Sequence, residues 1–102
     1  MIEDIQQRAA RGGYRLTLHA RQEMDAEGLS TEALLRALMA PGGEVIEDYP
    51  DDPRGHSCLA LIWLDAASPL HVCCAVHEDL LVIITVYRPS EARWTQDWRR
   101  RT

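Results

Sequence analysis

Residues 56–88, HSCLALIWLDAASPLHVCCAVHEDLLVIITVYR, decide the fold. Three apolar runs, His56–Leu64, Leu70–Val76 and Leu80–Arg88, stand between two breaks, Asp65–Pro69 and His77–Asp79. The spacing predicts three neighbouring strands joined by short turns, an antiparallel meander. The runs are almost continuously apolar, which marks central strands covered on at least one face. Within the first run Leu59, Leu61 and Trp63 alternate onto one side. Upstream, Glu44–Tyr49 predicts a further strand, and Pro50-Asp51-Asp52-Pro53-Arg54-Gly55 is a dense turn signal between the two.

The first forty residues follow a helical period instead. Ile2, Ile5 and Ala9 recur at helical spacing, and Gly12-Gly13 stop that helix. In residues 14–24, YRLTLHARQEM, Tyr14, Leu16 and Leu18 alternate with Arg15 and Thr17, as in a short half-buried strand or an extended link. A second helix opens at His19 and ends at Gly28. Ser30 caps a third, with Leu34, Leu35, Leu38 and Met39 as its apolar stripe and Pro41-Gly42-Gly43 as its stop. Beyond the meander, Pro89 ends the sheet and Ser90 caps a last helix with Trp94 and Trp98 at i and i+4. The expected architecture is α+β: N-terminal helices packed on an antiparallel sheet of about four strands, with a short C-terminal helix. Residues 1–102 are expected to form one domain.

All eleven basic residues are arginine, which removes Schiff-base chemistry and the lysine of a P-loop and leaves planar, bidentate anion recognition. Charge is uneven: residues 23–52 hold nine acids against one arginine, a local sum of −8 within an overall −5. A nucleic-acid site must therefore lie among Arg15, Arg21, Arg54, Arg88 and the terminal arginines, away from the acidic segment. Residues 1–12 mix acids and arginines without the apolar core of a signal peptide. The longest apolar run is far too short to span a bilayer, so no membrane partner is expected. Three cysteines, two of them adjacent, suit a reducing cytoplasm better than a disulfide framework.

Three chemistries fit these residue types. His71 and Cys73 share a strand face, and with His77, His56 or Cys58 they could chelate zinc, although the close paired spacings usual for such sites are absent. Cys73 or Cys74 as a nucleophile is disfavoured by apolar neighbours that keep a thiol protonated. The third needs neither metal nor covalent intermediate: the 2′-OH of RNA attacks the adjacent phosphate, and the protein supplies a base, an acid and cationic groups. His19 and Arg21 would stand in the first turn of the second helix, where free N–H groups favour an anion. Tyr87 and Arg88 lie at the end of the last strand. The structural alternative for each is plain: a histidine that caps or packs, and a Tyr-Arg-Pro that merely leaves the sheet.

The run His19-Ala20-Arg21 with Met24, Gly28, Leu29 and Ser30 resembles the His-Ala-x-x-Arg-Met-x-x-Arg-Gly-Ile-Ser opening of a widespread bacterial family of uncharacterised small domains. Tyr49-Pro-Asp-Asp-Pro-Arg54-Gly-x-Ser57-Cys58-Leu59 resembles its central turn. Pro69-Leu70-His71-Val72, Val82–Tyr87 with Pro89, and Trp94 resemble its last strands and final helix. That family is similar in element order to toxins of the RelE, ParE and MqsR group, and its genes often neighbour small zinc-ribbon antitoxin-like proteins. The resemblance implies a metal-independent and cofactor-free endoribonuclease toxin acting on single-stranded RNA, with a zinc-ribbon antitoxin-like partner. His19 would be base or acid, His71 its partner, Arg21, Arg54 and Arg88 the phosphate ligands, and Tyr87 a contact to a base or the 2′-OH. Glu23 and Glu27 stand where the family usually has arginine, and His56 where it has proline; the two acids lower the positive potential near the expected anion site. The alternative is a non-enzymatic interaction module or inactive descendant, docking a basic partner through Glu44–Asp52 or an open sheet edge, with homo-oligomers left open.

Overall fold

The computed structural model describes residues 1–102. The elements are α1 (Ile2–Arg11), β1 (Tyr14–Leu16), α2 (Leu18–Ala26), α3 (Thr31–Met39), β2 (Glu44–Tyr49), β3 (His56–Asp65), β4 (Ser68–His77) and β5 (Leu80–Tyr87). The fold is α+β. The sheet has five strands in the order β1-β5-β4-β3-β2. Pairing from β2 to β5 is antiparallel, as the meander predicts. The expected four-stranded antiparallel sheet is corrected by β1, which adds a parallel edge strand with Leu16 opposite Ile83. Backbone approach makes that pairing. Gly13 accepts a 2.8 Å bond from the Leu81 amide, and a Cβ on Gly13 would stand 2.8 Å from the Asp79 carbonyl oxygen. Only glycine admits so close a contact. No helix is long and apolar enough to cross a membrane.

Strand alternation divides the sheet into two unlike faces. Cys58, Ile62, Leu70, Val72, Cys74, Leu81, Ile83 and Val86 join Ile5, Ala20, Met24, Leu34 and Leu38 in one core beneath the helices. The opposite face carries cross-strand rows fixed by register. Glu44, Leu61, His71 and Tyr87 lie in one row, and Glu47, Leu59, Cys73 and Thr85 in the next. The Ser30 cap behaves as expected, its Oγ accepting the Ala33 amide at 3.0 Å; α2 opens one residue before His19, because Thr17, expected in the strand, caps it by accepting the Ala20 amide at 3.0 Å.

The expected C-terminal helix does not form. Ser90 starts a single turn, its carbonyl accepting the Trp94 amide at 3.1 Å, and the chain then reverses. Asp97 Oδ1 accepts from Thr95 Oγ1 at 2.5 Å and from the Arg99 amide at 3.2 Å. Trp98 sits at φ 65°. Thr95 then donates to the Arg100 carbonyl at 2.8 Å, and Thr102 to that of Arg93 at 2.9 Å. A short carboxylate that bonds its own backbone competes with helix propagation. Here the reversal also lets Trp94 bury, 4% exposed, against the sheet face the helices leave bare.

Candidate anion-binding and catalytic site

The C-terminal segment closes over His71. The ring is fully buried, with Trp94 edge-on at 4.3 Å between centroids and Tyr87 edge-on at 5.2 Å. His71 Nε2 lies 2.9 Å from the Trp98 carbonyl oxygen, which can only accept, so that nitrogen carries the proton. Nδ1 of the neutral ring therefore accepts the Tyr87 hydroxyl at 3.0 Å. Burial pushes the imidazole below its ordinary pKa, opposed by the bond to the Trp98 carbonyl and by the charge of Glu47. Burial likewise raises the Tyr87 phenol.

Tyr87 opens on its other side into a concavity of about 440 Å³ lined by Tyr87, Arg88, Ser90, Arg93, Trp94 and Arg101. Three arginines, a tyrosine and a serine thus line one recess. Arg101 lies over the Trp94 ring, 4.8 Å from its centroid. Of the six residues expected to act together, the structure brings Tyr87 and Arg88 to this concavity, with His71 directly behind Tyr87. Arg93 and Arg101 complete it. The sequence offers the terminal arginines only as a class and carries no sign that Arg101 returns to Trp94, because that requires the reversal at Trp98.

The other three residues lie elsewhere. His19 sits on α2, on the helix side of the sheet, two-thirds exposed and 3.4 Å from Glu23. It does not meet His71, which faces the opposite side. Arg21 is exposed beside Leu16, Met24, Asp25 and Leu29 in a small groove of its own. Arg54 stays on the β2–β3 turn, where both oxygens of Asp52 take its guanidinium at 3.2 Å. Asp52 also accepts the Arg54 amide at 2.9 Å and the Ser57 hydroxyl at 2.7 Å. These bonds, led by the Arg54 side chain, hold its carboxyl well below the usual carboxylate range. The family-like turn is thus a closed network around one carboxylate. No three His, Cys, Asp or Glu side chains are grouped so that they could hold a metal ion.

The acids have specific partners. Glu23 Oε1 accepts the Val86 amide at 3.0 Å and so anchors α2 to β5. Glu27 takes Arg88 at 3.0 Å. Glu47 grips Arg101 at 2.8 and 3.0 Å, a bond that draws its own pKa down. Glu44 holds Arg99, and Asp48 holds His56 at 2.5 Å. Most of the acidic segment is therefore neutralised within the molecule.

A small α+β domain with helices on one sheet face and an arginine-lined concavity on the other is the class that fold and site define. The chain belongs to the DUF4258 family, a domain of unknown function, whose profile matches residues 16–88. That span runs from β1 to the residue after β5, so the C-terminal segment that completes the concavity lies beyond it. No curated protein and no solved structure matches the chain.

Proposed function

We propose that this chain is a metal-independent endoribonuclease of the RelE-like toxin type, with its site at the Tyr87 concavity rather than around His19. The observation that supports this reading is the Tyr87–His71 hydrogen bond at the floor of a recess bearing Arg88, Arg93 and Arg101. In the proposed reaction the 2′-OH passes its proton to the Tyr87 oxygen as Tyr87 passes its own to His71 Nδ1. The oxygen then attacks the adjacent phosphorus. The resulting imidazolium keeps its Nε2 proton on the Trp98 carbonyl and lies near the Glu47 carboxylate, both of which favour the cation. The guanidinium groups hold the phosphorane charge, and the 5′ oxygen leaves with a proton from water. The products are a 2′,3′-cyclic phosphate and a free 5′-hydroxyl, with Tyr87 and His71 reset by proton return.

The test is cleavage of an end-labelled single-stranded oligoribonucleotide in EDTA between pH 5 and 9. Cyclic phosphate ends should form, Tyr87→Phe should lower the rate by about 100-fold, and His19→Ala should leave it unchanged. Failure of the native protein to cut, or full activity in Tyr87→Phe, overturns the proposal.

A further inference from the structure

We propose that Glu27 and Glu47 mask the concavity, so that it admits a chain of consecutive phosphates and discriminates against an isolated one. The inference rests on the reading of the concavity as the phosphate site. Both carboxylates reach in from outside it, Glu27 from the end of α2 and Glu47 from β2, and neither lines the recess. Each occupies a guanidinium that a phosphate would need: Glu27 takes Arg88 through one nitrogen, and Glu47 takes Arg101 through two. Arg93 alone of the three is in no ion pair. A single phosphate therefore meets one free cation. A second or third phosphate binds by exchanging a carboxylate for itself, a trade of similar ion pairs that becomes favourable once the first phosphate has anchored the chain.

The two masks are unequal. The Glu27 pair is about two-fifths exposed on both sides, where ion pairs are weak. The Glu47 carboxylate is one-fifth exposed, bidentate, and fixes Arg101 over Trp94. Removing the Glu47 charge should therefore unmask more. Glu44→Gln is the control, because Arg99 does not line the recess.

The probes are inorganic tripolyphosphate, orthophosphate and a single-stranded oligoribonucleotide, followed by tryptophan fluorescence and calorimetry on the full chain. Tripolyphosphate should bind native protein more tightly than orthophosphate. Glu47→Gln should tighten tripolyphosphate binding about fivefold and Glu27→Gln about twofold, with Glu44→Gln unchanged. For the oligoribonucleotide, each released arginine should steepen the logarithmic salt dependence by about 0.7. Equal affinities in native protein and Glu47→Gln, or tripolyphosphate binding by none of the proteins, overturn the mask. Tighter tripolyphosphate binding by Glu47→Gln without RNA cleavage by any variant would uphold the mask and reject the ribonuclease. Cleavage with unaltered tripolyphosphate affinities would do the reverse.

Discussion

His71 gives its Nε2 proton to the carbonyl oxygen of Trp98 at 2.9 Å, tying the fourth strand to the C-terminal reversal. A second proton on the ring would turn Nδ1 from acceptor to donor toward the Tyr87 hydroxyl, and burial of the ring disfavours the charge. Stability should therefore depend on pH in a window set by this ring. The imidazole pKa is lowered in the folded state from an ordinary 6.5, so the unfolded chain binds the extra proton first. Stability should be full above that value and fall as pH drops below it, until the folded ring also protonates. Glu47, lowered from 4.5, should add a separate loss at more acidic pH. Urea denaturation from pH 8 to 4 checks this, and the upper step should vanish in His71→Gln.

Trp94 is 4% exposed and holds the C-terminal segment against the sheet. Trp94→Ala should cost about 3–5 kcal/mol by loss of aromatic burial. Hydrogen exchange should quicken across residues 90–102 before it does in the helix-side core. A loss under 1 kcal/mol would mean that the segment is not held by this ring.

Glu23 serves the Val86 amide, so its effect should follow acceptor chemistry rather than charge. Glu23→Gln keeps an oxygen for that amide and should stay within about 0.5 kcal/mol of native, whereas Glu23→Arg leaves the donor unmatched and should cost about 1–3 kcal/mol. Thermal denaturation of the two variants distinguishes these outcomes. Restoring an arginine here should not improve RNA binding, because the position lies on the helix side.

Asp52 gathers the Arg54 amide, its guanidinium and the Ser57 hydroxyl. Asp52→Ala should loosen the β2–β3 turn and expose it to limited proteolysis between Tyr49 and Gly55, while cleavage of RNA persists. Loss of RNA cleavage in a folded Asp52→Ala protein would return Arg54 to the site.

The sequence by itself determined the three-helix start, the caps at Ser30 and the Gly12 stop, and the antiparallel order of β2 to β5. These depend on local period and turn chemistry, which a short window of residues contains. It named Tyr87, Arg88 and the terminal arginines as candidates for an anion site, but only beside His19, Arg21 and Arg54, with nothing to separate the two groups. Only the tertiary structure decided that β1 joins β5 in parallel, that residues 90–102 reverse instead of forming a helix, and that His71 and His19 face opposite sides of the sheet. The first two turn on partners distant in the chain, Gly13 on the turn at Asp79 and Trp94 on His71; the third turns on which sheet face the helices cover. Helical spacing at Trp94 and Trp98 lost to burial of one ring, because the bare sheet face offered Trp94 more than a helix surface could.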